Sequence, residues 1–124
     1  MRWSKKNDWF NSESFLHFGN LALIYWILLV SFIKSKRGAI ILFIVVTILH
    51  IIDDLLNNFT DYSFERLWHN SRDGDSIQNF LGDIISGLLG TIPLLIIYDK
   101  LWYTLALTII FFITGVCGWM FTKK

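Results

Sequence analysis

The side chains able to do chemistry are gathered in one stretch, His50 to Asp83, which reads HIIDDLLNNFTDYSFERLWHNSRDGDSIQNFLGD. It holds most of the acidic residues and two of the 3 histidines, and both its ends run into long apolar segments. His50, Asp53, Asp54, Asn57 and Asn58 are packed close together. Residues spaced three and four apart share a helical face, so one face here carries an imidazole, a carboxylate and an amide. Asn79 and Asp83 stand one turn apart at the other end, with Asp83 about one turn inside an apolar run. A carboxylate at membrane depth costs on the order of 3 kcal/mol on insertion scales and therefore faces a polar partner or cavity. Plainer readings stand beside this one. The helix has left the bilayer by Asp53, or Asp83 makes a structural hydrogen bond to a neighbouring helix.

Two kinds of chemistry suit these residues. Carboxylate and amide oxygens are hard ligands for Mg²⁺ or Mn²⁺, with Asp53, Asp54, Asp75 and Asp83 as candidate ligands. His50, Asp54 and Asp83 also form a candidate acid–base set. Arg66 and Arg72 are suited to holding an anionic group by forked hydrogen bonds, with Asn58 and Asn79 beside them as substrate-binding candidates. The plainer reading of the arginines is a solvated charged face. The series Asp73, Asp75, Asn79 does not make a calcium-binding EF loop, because Gln78 stands where that loop needs Gly and Ile84 where it needs Glu.

The elements that must position these residues are membrane helices. Hydrophobic residues make up 54 % of the 124, and the mean hydropathy is +0.51. A soluble domain of this size has too little interior to hide so much apolar surface. Residues 15–33, 39–56, 80–98 and 101–121 are each close to the roughly 20 needed to cross the hydrocarbon core as helix. The reading is all-α, a single polytopic membrane domain of four transmembrane helices. Helix is required because backbone polar groups in lipid must be satisfied within each span. No alternation of a membrane barrel is present. A short interfacial segment precedes the first span, where Trp3, Trp9 and Phe10 sit among Arg2, Lys5 and Lys6. Ser12 or Ser14 is expected to cap that span. The 59–78 connection is polar, with a short amphipathic helix expected near Tyr62–His69 and Asp75 or Ser76 capping the third span. No cleavable signal peptide is expected.

Several smaller features fit this frame. His17 and Asn20 share a face near the start of the first span, either as interfacial and helix-pairing groups or as the rim of a polar site. Lys34, Lys36, Arg37 and Gly38 form a tight basic turn. Gly82, Ser86 and Gly90 make a small-residue stripe for close helix contact, and Gly87, Gly90 and Pro93 are expected to soften or kink the third span. Cys117 is the sole cysteine and reads as a small hydrophobe. The net charge of +1 gives no indication of nucleic-acid binding. With four spans, both termini and the long connection share a side that carries Arg2, Lys5, Lys6, Arg66, Arg72, Lys123 and Lys124. That excess places the termini in the cytoplasm, at the inner membrane, although the acid-free KSKR turn argues the other way.

Three segments, DWFNSESFLHFG from Asp8, HIIDDLLNN from His50 and DGDSIQNFLGDIISGLLG from Asp73, together resemble a bacterial family of polytopic membrane proteins of uncharacterised function. Gly74-Asp75-Ser76 followed by Asn79 and Asp83 is the motif that carries the resemblance. In the family pattern the positions of His50 and Asn57 are acidic, while Asp54 and Asn58 match by type. The resemblance implies a shared fold and a polar site, and supplies no reaction. Asp75, Asn79 and Gly82 also resemble the head of a span in VanZ-like membrane proteins, over this one helix.

The sequence thus predicts a polar site where the ends of spans two and three meet, joined from the same side by His17 and Asn20. One function is non-catalytic: helix packing, an ion or proton path, or the binding of a membrane-protein partner or a second copy. The alternative is a metal-dependent enzyme acting on a lipid or isoprenoid phosphate.

Overall fold

The computed structural model describes residues 10, 12–32, 35–59 and 77–122; of Ser12 and residues 57–59 it describes the backbone alone. The described residues form four helices and no strand: α1 (Ser12–Phe32), α2 (Lys36–Phe59), α3 (Ile77–Ile96) and α4 (Leu101–Thr122). Each is long and apolar enough to cross a membrane, so the fold is that of a four-helix membrane protein. Residues 1–9 of the interfacial segment, the Tyr62–His69 helix, and Arg66, Arg72, Asp75 and Ser76 lie outside the described residues.

The helices start earlier than hydropathy alone suggests, because polar residues begin them. Ser35 accepts a hydrogen bond from the Gly38 N–H at 3.1 Å, and its carbonyl accepts from Ala39 N–H at 3.0 Å. Ser35 is therefore the cap of α2. Lys36, Arg37 and Gly38, read from sequence as part of the turn, lie instead in the first helical turn. Likewise α1 is helical from Ser12, which places Ser14 inside the first turn and frees its hydroxyl for another helix. The third span ends at Ile96, and the chain reverses through a turn in which the Lys100 N–H bonds the Ile97 carbonyl at 2.9 Å. The α3 helix runs on through Pro93.

The α1 helix is the centre of the bundle. It packs most extensively on α4 and α3, while α2 leans mainly on α3. About 39 % of the α1 span and 44 % of the α3 span are buried, against 22 % and 17 % for α2 and α4, so α1 and α3 form the inner pair. Small residues permit this arrangement. A Cβ on Gly115 of α4 would lie 2.5 Å from the Phe15 carbonyl oxygen, and a Cβ on Gly90 of α3 would run into the Phe18 carbonyl. Backbone thus meets backbone on two sides of α1, the contact that holds helices together where lipid offers no hydrophobic drive. The apolar core consists of Leu21, Ala22, Tyr25, Leu29, Ala39, Val46 and Leu94. Polar ties supplement it: the Tyr25 hydroxyl donates to the Ala39 carbonyl at 2.8 Å and Trp26 Nε1–H to Thr104 Oγ1 at 3.2 Å. Cys117 lies exposed on α4.

Candidate functional site

The antiparallel order of the helices brings the start of α1, the end of α2 and the start of α3 to one end of the bundle. Each contributes polar groups at helical spacing. Ser14 and His17 are three apart on α1, His50 and Asp54 four apart on α2, and Asn79 and Asp83 four apart on α3. All six are buried, and the Asp54 and Asp83 side chains are 0 % exposed. The helices therefore converge on a polar cluster sealed inside an otherwise apolar bundle.

The groups are linked in order. Ser14 donates its hydroxyl proton to Asp83 Oδ1 at 3.0 Å. Asp83 Oδ2 lies 3.3 Å from His17 Nε2. The other nitrogen of His17, Nδ1, lies 2.8 Å from His50 Nε2. At that distance one nitrogen carries the proton and the other offers its lone pair. Asp54 completes the group: one carboxylate oxygen each from Asp54 and Asp83 and one nitrogen of His17 lie within 4.8 Å of one another.

Two carboxylates this close in a low-dielectric interior do not both stay charged unless they are compensated. A proton on one carboxyl, a protonated imidazole or a cation each supplies that compensation. Of these, one divalent cation balances both carboxylates while leaving the imidazoles neutral.

Gly87 on α3 makes the room for this arrangement. A Cβ there would lie 2.8 Å from His50 Cε1 and 2.9 Å from His50 Nδ1. The sequence reading assigned Gly87 to helix softening; in the structure its missing side chain lets the His50 ring reach His17. Ser86, next to it, donates to the Gly82 carbonyl at 2.9 Å and stays within its own helix.

Of the residues singled out from sequence, His50, Asp54 and Asp83 come together, and Asn79 is buried one turn from Asp83. Asp53 is only half-buried and faces elsewhere. With His50 it lines a groove of about 360 Å³ between α1 and α2, otherwise walled by Leu21, Ile24, Leu28, Val46, Leu49, Ile52 and Leu56. Asp75, Arg66 and Arg72, and the Asn57 and Asn58 side chains, lie outside the described residues. His17 stands at the middle of the cluster and not at its rim, while Asn20 is half-buried. Ser14 joins His17 in its place. The usable signal was the three-residue spacing of Ser14 and His17, which are the polar residues of one face in an apolar helix. On the far side, Ser14 and Ser86 also line a cavity of about 300 Å³ with Phe10, Phe15, Phe18, Leu89 and Thr114.

The chain matches no family model, no curated protein and no solved structure.

Proposed function

We propose that this multi-pass membrane protein holds a divalent cation in its buried cluster, with His17, Asp54 and Asp83 as ligands. The observation that carries the reading is the approach of one ligand atom from each of these three residues to within 4.8 Å, all fully buried. His17 Nε2 and Asp83 Oδ2 are already 3.3 Å apart. That is about the edge of a tetrahedron whose ligands lie about 2.0–2.1 Å from a zinc ion.

The surrounding groups support the ligands as outer partners of metal sites do. With its Nε2 lone pair turned to the ion, neutral His17 donates Nδ1–H to His50 Nε2, which fixes both tautomer and ring orientation. Ser14 holds the second oxygen of Asp83. The imidazole ligand moves the preference away from Mg²⁺, the ion suggested by the carboxylates alone, and toward Zn²⁺, with Mn²⁺ between them. Three protein ligands leave a fourth position for water or another ligand, the pattern of catalytic sites. The reading as an enzyme on a lipid or isoprenoid phosphate would use that position together with Arg66 and Arg72. The excess of Lys and Arg on the side of the termini supports a topology with cytoplasmic termini, and the likeness to a bacterial family of membrane proteins supports the inner membrane as the location.

The test is thermal unfolding of the detergent-purified protein with added Zn²⁺, Mn²⁺ or Mg²⁺. An ion at a hundred times its Kd stabilises the native state by about 2.7 kcal/mol. The expected result is a rise in Tm with Zn²⁺ exceeding that with Mg²⁺, lost in Asp83→Asn. An equal response of wild type and Asp83→Asn to every ion contradicts the proposal.

A further inference from the structure

Charge is divided unevenly between the two ends of the bundle. The segments that join α1 to α2 and α3 to α4 lie at the end away from the cation cluster. They carry Lys34, Lys36, Arg37 and Lys100 against one acidic residue, Asp99. Every other acidic residue belongs to the N-terminal segment, to the 60–76 connection, or to the helix ends that adjoin them at the opposite end. The 21 residues of α1 set the two ends about 30 Å apart. That is well beyond the roughly 10 Å over which exposed charges interact at about 0.1 M salt. The basic end is therefore not neutralised by those carboxylates. Lys36, Arg37 and Lys100 are all exposed, and none of them makes an ion pair among the described residues.

Lys36 and Arg37 also stand at the head of an exposed apolar strip of α2. Arg37, Ile41, Ile44 and Ile48 follow one another at spacings of four, three and four, so they share one side of the helix. The three isoleucines are each about half exposed, and in a membrane-spanning bundle that side meets hydrocarbon. From Arg37 to Ile48 the helix rises about 16 Å. That matches one leaflet of the roughly 30 Å hydrocarbon core. The strip thus has the length of a lipid chain and a basic group at its top. The top is fixed in place, because Tyr25 of α1 bonds the Ala39 carbonyl. Ser35 already occupies the Gly38 N–H, so the contact offered to an anion is the Lys36 ammonium and the Arg37 guanidinium fork, which suits phosphate oxygens. Lys100 differs in having the Asp99 carboxylate next to it in sequence.

We propose that an anionic phospholipid lies along α2, its phosphate held by Lys36 and Arg37 and one acyl chain against Ile41, Ile44 and Ile48. No residue of the His17–Asp54–Asp83 cluster takes part, so the outcome does not depend on the metal reading. Detergent-purified protein is incubated with phosphatidylglycerol that carries a diazirine in one acyl chain and is then irradiated. Labelled residues are mapped by peptide mass spectrometry. Unlabelled phosphatidylglycerol, phosphatidylcholine of the same chains, or inorganic phosphate is added as competitor. The expected result is label on α2 between Ile41 and Ile48, displaced by phosphatidylglycerol at about a tenfold lower concentration than by phosphatidylcholine. That preference disappears in the double variant Lys36→Gln, Arg37→Gln and is kept in Lys36→Arg, Arg37→Lys and in Lys100→Gln. Circular dichroism and size exclusion establish that each variant is folded. Equal displacement by the two lipids, label confined to other helices, or an unchanged preference in the folded double Gln variant would overturn the proposal. Displacement by inorganic phosphate at the same concentration as by phosphatidylglycerol would mean a site for a soluble anion and would overturn it as well. So would an equal loss of preference in Lys100→Gln, which would assign the effect to net charge and not to this turn.

Discussion

The imidazoles of His17 and His50 meet nitrogen to nitrogen, 2.8 Å apart, across the α1–α2 interface. The pair joins two helices that otherwise touch little, and passes through His17 to Asp83 on α3. One side chain thus links three helices at one end of the bundle.

The first prediction concerns the space behind His50. Gly87→Ala places a methyl group 2.8 Å from the ring, so His50 must turn away from His17. Overpacking of this kind costs about 1–3 kcal/mol. Loss of the outer partner of a ligating histidine lowers metal affinity about 10–100-fold. Thermal unfolding in detergent and a Zn²⁺ titration read the two effects separately. A variant with wild-type Tm and wild-type affinity would show that His50 does not depend on this gap.

Ser14→Ala removes the donor to Asp83 Oδ1. A hydrogen bond to a charged group contributes about 1.5–3 kcal/mol. The variant should melt at lower temperature and bind Zn²⁺ more weakly, while Ser14→Thr, which keeps the hydroxyl, recovers part of both. Were the Ser14 bond only a tie between α1 and α3, Ser14→Ala would lower the Tm and leave metal affinity unchanged.

Far from the cluster, Tyr25→Phe deletes the bond to the Ala39 carbonyl, which lies within α2 and keeps its helical partner. The expected loss is about 0.5–1.5 kcal/mol of stability with no change in metal affinity. A drop in metal affinity in this variant would mean that the two ties between α1 and α2 act as one.

Much of the fold was legible in the sequence because length and hydropathy determine membrane helices almost directly. The boundaries were less so. Hydropathy marks where apolar residues start, whereas Ser35 and Ser12 show that the helices begin with polar ones. The site was legible to the extent that helical spacing reveals it. His50 with Asp54, and Asn79 with Asp83, were visible as one-turn pairs. The roles of Asp53 and Asp54 were not separable, because adjacent residues differ by about 100° around the helix and only packing shows which of them turns inward. His17 was underestimated for a related reason. Its depth near the end of α1 suggested an interface, and only the central place of α1 between α3 and α4 puts it in the middle of the cluster.

The measurement that tests the central claim most directly is the metal content of the purified protein after equilibration with Zn²⁺ and removal of free ion. It compares wild type with Asp54→Asn, Asp83→Asn and His17→Gln, each verified as folded. The account predicts about one tightly held Zn²⁺ per chain in wild type and far less in all three variants, since each removes one ligand. Wild-type protein that retains no Zn²⁺, or folded variants that retain as much as wild type, would contradict it.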